Sequence, residues 1–471
     1  MTISSLGVGS GLQAEQIISS LLSLERKPLD ALETQEKGIK TKVSSFGQLQ
    51  SLFSDLQNAA RELASPLLWS RATGTSSNPA AVTVSAGNGS PLGAFSVNVT
   101  KLAVAQTATS TPFASSATPV GEGTLTIQLG TWSGDPVSGF AAKSGAAAVP
   151  ITIGPGETSL AQIRDKINGA GAGVTASIVN DASGARLSII SRETGAANGF
   201  KIAASGALSA LAYDPLGASG LSLNQAARNA SATINGIEVS SASNTLSNVV
   251  EGITLNLLAP TTTPASVSVA SNTDAVKAAV ESFVKAFNGL ASYIRTQTKY
   301  DAASKTGGPL QGDRTAIGLQ NQLRNVLNEG SSASSVYTRL SDIGLVMKTD
   351  GTLETKSAKL DDALSSAANL AELRKLFATE GADDAGSGFM VRYRQLATTV
   401  LGTDGALTTV TESLNGRIKA LQKREDAMEA RLVRIEARLR QQYQALDDQM
   451  AQLNGLSSYV SAQMSALAKN T

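Results

Sequence analysis

Three glycines, Gly7, Gly9 and Gly11, and two acidic pairs, Asp361-Asp362 and Asp447-Asp448, are the residues whose types and spacing could do chemistry. A glycine string cradles phosphate when it follows a strand and opens a helix, so that backbone N–H groups point at the anion. Only a few mixed residues precede Gly7, and that context is missing. Gly169, Gly171 and Gly173 follow a helical pattern and precede a strand, the wrong order for a dinucleotide site. Adjacent carboxylates could form an acid/base pair or hold a metal. Neighbours on a helix point about 100° apart, so neither aspartate pair converges on one atom. The chain has no Cys and no His. That removes thiol chemistry, most zinc and copper sites, and every Ser–His or Cys–His pair. No cofactor or metal is expected, and the chain does not read as an enzyme.

Charge points the same way. Lys and Arg total 39 and Asp and Glu 38, a balance that gives no reason to expect nucleic acid or a membrane surface. Residues 415–442 carry eight Lys/Arg and four Asp/Glu. A basic helix could meet nucleic acid, but no aromatic residue is interleaved. A solvated coiled-coil face accounts for these charges, with Glu436 and Arg440 in the favourable i,i+4 order. The first basic residue is Arg26, and no apolar run reaches signal-peptide or transmembrane length. Membrane insertion is not expected. Cytoplasmic residence and export by a signal-free route both stay open.

The elements that position these residues are long helices at the two ends. Leu414, Ile418, Leu421, Met428, Leu432, Ile435, Leu439, Tyr443, Leu446, Met450 and Leu453 step mostly by threes and fours along one helix face. Ile39, Val43, Phe46, Leu49, Phe53, Leu56, Ala60 and Leu63 repeat the pattern near the N-terminus. The spacing predicts that Leu432 to Leu453 packs against the N-terminal helix around Val43 to Leu63. Ile17, Ile18, Leu21 and Leu22 form a shorter amphipathic stretch, which Pro28 and Gly38 are expected to interrupt. Residues 1–40 and 450–471 are expected to be assembly segments, mobile until they meet a partner. A last helix is expected over 409–467, weakest at Gly416 and Gly455. Others are expected from Val276 to Ile294 and over 312–328, 357–378 and 388–401.

Residues 73–271 hold only 17 of the chain's 77 charged residues and read as β structure of period two. Val82 and Val84, then Phe95, Val97 and Val99, then Leu125, Ile127 and Leu129 alternate with small or polar residues. Asn235-Gly236 signals a two-residue hairpin. Thr158-Ser159 can cap a helix over Leu160 to Asn168, and the glycines after it end it. A fainter echo at Asn244 to Val250 suggests a second small α+β unit. The expected architecture is multidomain α plus β. Discontinuous terminal helical coiled-coil or bundle domains flank two β-rich α+β domains, one inserted in the other. The boundaries are 1–40 with 450–471, 41–72 with 272–449, 73–122 with 230–271, and 123–229.

Several segments together resemble one family. SSLGVGSGL at 4–12, AFSVNVTKLAVAQT at 94–107 and TSLAQIRDKIN at 158–168 are similar to the bacterial flagellar filament cap proteins, or hook-associated protein 2. So are ATINGIEV at 232–239, SNTLSNVVEGITLNL at 243–257, AVKAAVESFVKAFNGL at 275–290 and QLNGLSSYVSAQMSAL at 452–467. Gln13-Ala14 departs from the polar pairs common there. The resemblance implies a secreted homo-oligomer at the distal filament tip, a small closed ring of about four to six subunits. Its implied partners are flagellin, the hook–filament junction protein and a cytoplasmic export chaperone at the C-terminal helix. Export would use the flagellar type III route, with Leu6, Gly7, Val8, Gly9, Gly11, Ile17 and Leu21 in an uncleaved N-terminal export and assembly segment. A surface adhesin that binds host glycan through the β domains is the alternative, as is a related axial protein such as flagellin or a junction protein.

Overall fold

The computed structural model describes residues 13–469 apart from 218 and 304. The helices in chain order are α1 (Ala14–Ala64), α2 (Pro66–Trp69), α3 (Leu160–Gly169), α4 (Thr273–Thr298) and α5 (Arg314–Asn328). They continue as α6 (Ser357–Ala363), α7 (Ala367–Ala378), α8 (Phe389–Leu401) and α9 (Ala406–Lys469). The chain divides into two compact units. One joins the residues up to Ser65 with those from Val276 onward; the other is Pro66–Ala275.

In the helical unit, α1 packs against α8 and α9. The core is aromatic: Phe283 and Phe287 of α4 meet Tyr393 of α8 at ring-centroid distances of 5.2 and 6.0 Å. The Tyr393 hydroxyl is buried and donates to the Leu323 carbonyl of α5 at 3.0 Å. Asn272 caps α4 by accepting from the Ala275 N–H, and the expected stripe Val276, Val280, Phe283, Phe287, Leu290 and Ile294 is buried. The single helix expected over 357–378 is two, because Ser366 caps a fresh start by accepting from the Asn369 N–H.

Pro28 and Gly38 do not interrupt the N-terminal helix; both lie inside α1. Pro28 is on the exposed side, where water can satisfy the carbonyl that its missing N–H leaves free. Gly416 and Gly455 likewise lie inside an unbroken α9 of 64 residues. A glycine costs about 1 kcal/mol of helix propensity, too little to break a helix with this many neighbours in register.

The other unit holds two β cores. Its strands begin β1 (Ala72–Ser76), β2 (Val82–Ala86), β3 (Gly93–Lys101), β4 (Thr107–Ser110) and β5 (Gly123–Ser133). Next come β6 (Gly139–Ala142), β7 (Val149–Ile153), β8 (Val174–Asp181), β9 (Gly184–Ser191) and β10 (Gly199–Ala204). The last are β11 (Leu221–Gln225), β12 (Ala230–Ile234), β13 (Ile237–Ser241), β14 (Thr245–Val250), β15 (Ile253–Leu257) and β16 (Ala265–Ser271). A five-stranded sheet in the order β1-β16-β3-β12-β13 and a three-stranded sheet β14-β15-β2 enclose one core. A β10-β5-β6 sheet with β7 beside β5, a β11-β4-β9-β8 sheet and α3 enclose the other.

Local signals set these elements. Asn235 and Gly236 both have positive φ, 49° and 84°, as the hairpin between β12 and β13 requires. Ser159 and Gln162 form a reciprocal capping box on α3, which buries Leu160, Ile163 and Ile167. Two expectations fail here. The 244–250 echo is not an α+β unit: it is strand β14, paired with β15, and Asn244 spends its side chain on the Ala103 N–H and carbonyl instead of capping a helix. The 122/123 boundary also falls inside a core, since β4 pairs with β9 and β11 of the inserted sheet. The change of core lies near Gln106.

A long irregular loop after α5 is held by one carboxylate. Glu372 of α7 accepts from Ser334 Oγ at 2.8 Å, Ser335 N–H at 2.9 Å and Lys375 Nζ at 2.8 Å. Lys375 foremost, then Ser334 and Ser335, hold its pKa down to about 2. A depressed carboxylate pKa adds stability above the unfolded value and loses it as pH falls through the folded one. The amides of Ser335, Val336 and Tyr337, held by Glu372 or by Ser334 Oγ, should therefore stay protected in hydrogen exchange down to about pH 4 and lose protection on approach to about pH 2. In Glu372→Gln they should be unprotected at neutral pH, and unchanged protection there would refute the assignment.

Candidate assembly interface

The α1–α9 pair is antiparallel, and three polar contacts fix its register. Gln422 donates to Glu36 at 2.7 Å, Arg431 lies 4.0 Å from Glu25, and Arg440 donates to Glu15 at 2.6 Å. The facing residue numbers thus sum to about the same value along the pair. This register corrects the expected packing. Leu432, Ile435, Leu439 and Tyr443 stand opposite the segment from Ala14 to about Glu25, not opposite Val43 to Leu63. Phe46, Leu49, Phe53 and Leu56 are fully buried and Val43 half-buried. They belong to the inner core, where Ser45 donates to Gln297 of α4 at 3.1 Å and Gln57 to Thr398 of α8 at 2.8 Å.

The seam is graded. On α9, Leu407, Leu414 and Leu421 are buried. Met428, Leu432, Ile435, Leu439, Tyr443 and Met450 are half-buried, and Leu446 and Leu453 are 42% and 59% exposed. Beyond them Leu456, Tyr459, Val460 and Met464 are each more than half exposed on an unbroken helix. Antiparallel pairing with only α1 explains the gradient, because a two-helix pair leaves the flanks of each seam residue in water. The basic stretch serves this pair: Arg431 and Arg440 face Glu25 and Glu15, and Arg440 also bonds Glu436 at 3.0 Å. These pairs are solvent-exposed and set register more than stability.

The N-terminal amphipathic stretch divides between the seam and solvent. Ile17 and Leu21 are 37% and 38% exposed, while Ile18 is buried and Leu22 half-buried. The heptad carried the signal: counting back by sevens from Ile39 and Val43 reaches Ile18 and Leu22. Leu6, Gly7, Val8, Gly9 and Gly11 lie outside the described residues. Of the acidic pairs, Asp361 bonds Lys277 at 2.7 Å on the surface. Among the described residues no three Asp or Glu side chains gather as metal ligands, and no helix is long and apolar enough to cross a membrane.

Known proteins with this plan identify it. Family models for the flagellar hook-associated protein 2 N-terminus and C-terminus match residues 10–106 and 227–455. A model for the flagellin hook IN motif matches residues 124–193, within the inserted core. The flagellar hook-associated protein 2 of Escherichia coli (strain K12) is 34% identical over 98% of both chains. The chain belongs to the flagellar hook-associated protein 2 family. An A-type flagellar hook-associated protein 2 of Pseudomonas aeruginosa is 29% identical over 98% of this chain and 97% of its own. The crystal structure of the flagellar cap protein FliD D1-D2-D3 domains from Escherichia coli matches with a TM-score of 0.59 at 32% identity. That match covers 79% of this chain and 99% of the other. The family models reach into both α1 and α9, so the paired helices lie within the family's own span.

Truncation separates the two ends of the seam. Phe53→Ala removes a fully buried ring and should cost about 3–5 kcal/mol of helical-unit stability in denaturant unfolding. Leu439→Ala removes a half-buried side chain and should cost about 1 kcal/mol. Equal losses would contradict the graded seam.

Proposed function

We propose that this chain is a subunit of the cap of a bacterial flagellar filament. Copies of it form a small closed ring at the distal tip, retain flagellin as it is exported, and promote its folding and insertion. The observation that carries this reading is the 34% identity along 98% of the chain to a flagellar hook-associated protein 2. The likeness to a flagellar cap structure at a TM-score of 0.59 supports it. The family match favours capping over the glycan-binding adhesin and over a flagellin or junction protein.

The geometry suggests how the subunit engages its partners. The last turns of α9 expose Leu453, Leu456, Tyr459, Val460 and Met464. An exposed apolar stripe on a helix recruits another helix, since burial of each large side chain gives about 1.5–3 kcal/mol. Before export the same stripe suits a cytoplasmic chaperone; in the cap it suits flagellin or a neighbouring subunit. Residues 1–40 and 450–471 are the assembly segments in this reading.

Exposed positions allow a clean test. Leu456→Asp combined with Tyr459→Asp should leave thermal unfolding of the purified protein unchanged. The variant should fail to restore filament growth and swimming to a strain lacking its cap subunit. Full restoration by the double variant would overturn the role given to the stripe. Normal filament elongation in a strain deleted for this chain would overturn capping itself.

A further inference from the structure

The α1–α9 seam has one layer that does not fit it. Counting in heptads along α9, the position between Leu421 and Met428 should be apolar, and it is Glu425. Its Oε1 is buried and has no hydrogen-bond partner. The groups facing it from α1 are Glu33, Glu36 and Lys40, and Asp426 is beside it on its own helix. Glu36 is itself a half-buried seam residue. The cations recorded against these carboxylates are already engaged: Lys40 lies 3.0 Å from Glu36 and shares that carboxylate with Gln422, and Arg26 lies 3.9 Å from Glu33. Glu33, Glu36, Glu425 and Asp426 against Lys40 and Arg26 leave a net negative layer across an otherwise apolar seam, and burying the unpaired Glu425 charge opposes closure.

Two independent features fall at the same place. On α9, Leu414 and Leu421 inside the layer are buried to 7% exposure or less and Ile418 is half-buried, while every seam residue from Met428 onward is at best half-buried; on α1 the change does not appear, since Ile18 and Leu29 outside the layer stay buried like Ile39 and Phe46 inside it. The register also puts Pro28, which cannot donate to the helix ladder, opposite the turn just beyond Glu425. A looser α9 face, a missing backbone bond and a charged layer therefore coincide within about two turns.

We propose that the Glu425 layer is a parting point built into the α1–α9 pair, at which the outer segments of both helices open together while the seam inside it stays closed. The outer helices then act as a clasp that opens without unfolding the helical unit. Opening uncovers the apolar faces of Ile18, Leu22, Leu432, Ile435 and Leu439. This mechanism needs no particular partner and stands whether or not capping is correct.

The clasp responds to pH. Burial, then Glu36 and Glu33, push the Glu425 carboxyl above its ordinary range, with Lys40 opposing. A carboxyl whose pKa is higher in the closed pair favours closure once protonated, so the clasp tightens as pH falls from neutral toward that raised value. Glu36 works in the other direction. Lys40 foremost, and Gln422, hold it low, so its contribution is present above the ordinary glutamate range and is lost only at lower pH. The outer seam is tightest in mild acid.

Hydrogen exchange of the full chain, corrected for intrinsic rates, at about pH 5.5 and about pH 7.5 tests this. At the higher pH, peptides from 14–30 and 430–445 should exchange several-fold faster than 45–62, and the gap should narrow at the lower pH. Glu425→Gln, which keeps the shape, and Glu425→Leu, which restores the seam, should each slow the outer peptides several-fold at the higher pH and flatten the pH response. Peptides 45–62 should not change in either variant. Fraying from the helix ends alone would leave both variants like the parent chain, and that result overturns the proposal. So does exchange of the outer and inner peptides at one common rate.

Discussion

The antiparallel register of α1 against α9 is the constraint on which the helical unit depends. It is set where an apolar seam meets three polar contacts, Glu36 with Gln422, Glu25 with Arg431 and Glu15 with Arg440. Each contact is worth little alone in water. Together they exclude slippage, because a shift of one residue would turn seam residues to solvent and separate each pair. Once the register holds, the turns of α1 around Phe46 to Leu63 have one place to go: against α8, α4 and the first turns of α9. The aromatic cluster of Phe283, Phe287 and Tyr393 fills the space those helices leave.

The same closure makes the long insertion tolerable. Between Ser65 and Val276 the chain leaves the helical unit and returns. The first and last strands of the insertion, β1 and β16, pair antiparallel, with Ala72 opposite Ser271. The second insertion repeats the device. β3 and β12 pair with Lys101 opposite Ser231, and Val104 bridges Arg228 just before the chain enters the inner core. Each domain therefore presents its two ends side by side, and the host domain pays little chain entropy for a guest whose ends already meet. Nesting follows from antiparallel neighbours, without disulfides, in a chain that has no cysteine.

Much of this was legible in the residues, and the failures share a cause. Elements defined by local chemistry were readable: the Asn235-Gly236 turn, the Ser159 cap of α3, the buried stripe of α4 and the charge-poor β region. What failed was a choice between local signals and distant partners. Pro28, Gly38, Gly416 and Gly455 carry breaker signals, yet all four lie on exposed faces, where the cost of each is too small to interrupt helices with so many neighbours in register. Asn244 carries a cap signal, yet its side chain binds Ala103 across the fold. A heptad shows which face is apolar but not which way the facing helix runs, so it leaves the partner of Leu432 to Leu453 open. Only the charge pattern could have told, with Glu15 and Glu25 matched to Arg440 and Arg431. Carrying the heptad phase across Pro28 separates Ile18 and Leu22, which face the seam, from Ile17 and Leu21, which do not.

The graded seam also explains how one pair of helices can serve two demands. A subunit that assembles on others needs apolar surface to offer, and a subunit that folds alone must cover such surface. Here the inner half of the seam is covered by further helices, α7 and α8 among them, and the outer half is the α1–α9 pair. The inner half can therefore hold the unit together while the outer half stays weak enough to exchange its partner. A uniformly apolar seam would fail the second demand, since every added buried leucine would deepen the closed state. A uniformly polar one would fail the first. Glu425 and Pro28 sit where those demands change over, and both act by withholding something the closed pair would use: a neutral seam side chain at one, a backbone donor at the other. Neither residue is itself buried in the inner core. The strength of the outer pair can therefore be tuned without loosening the fold that carries it.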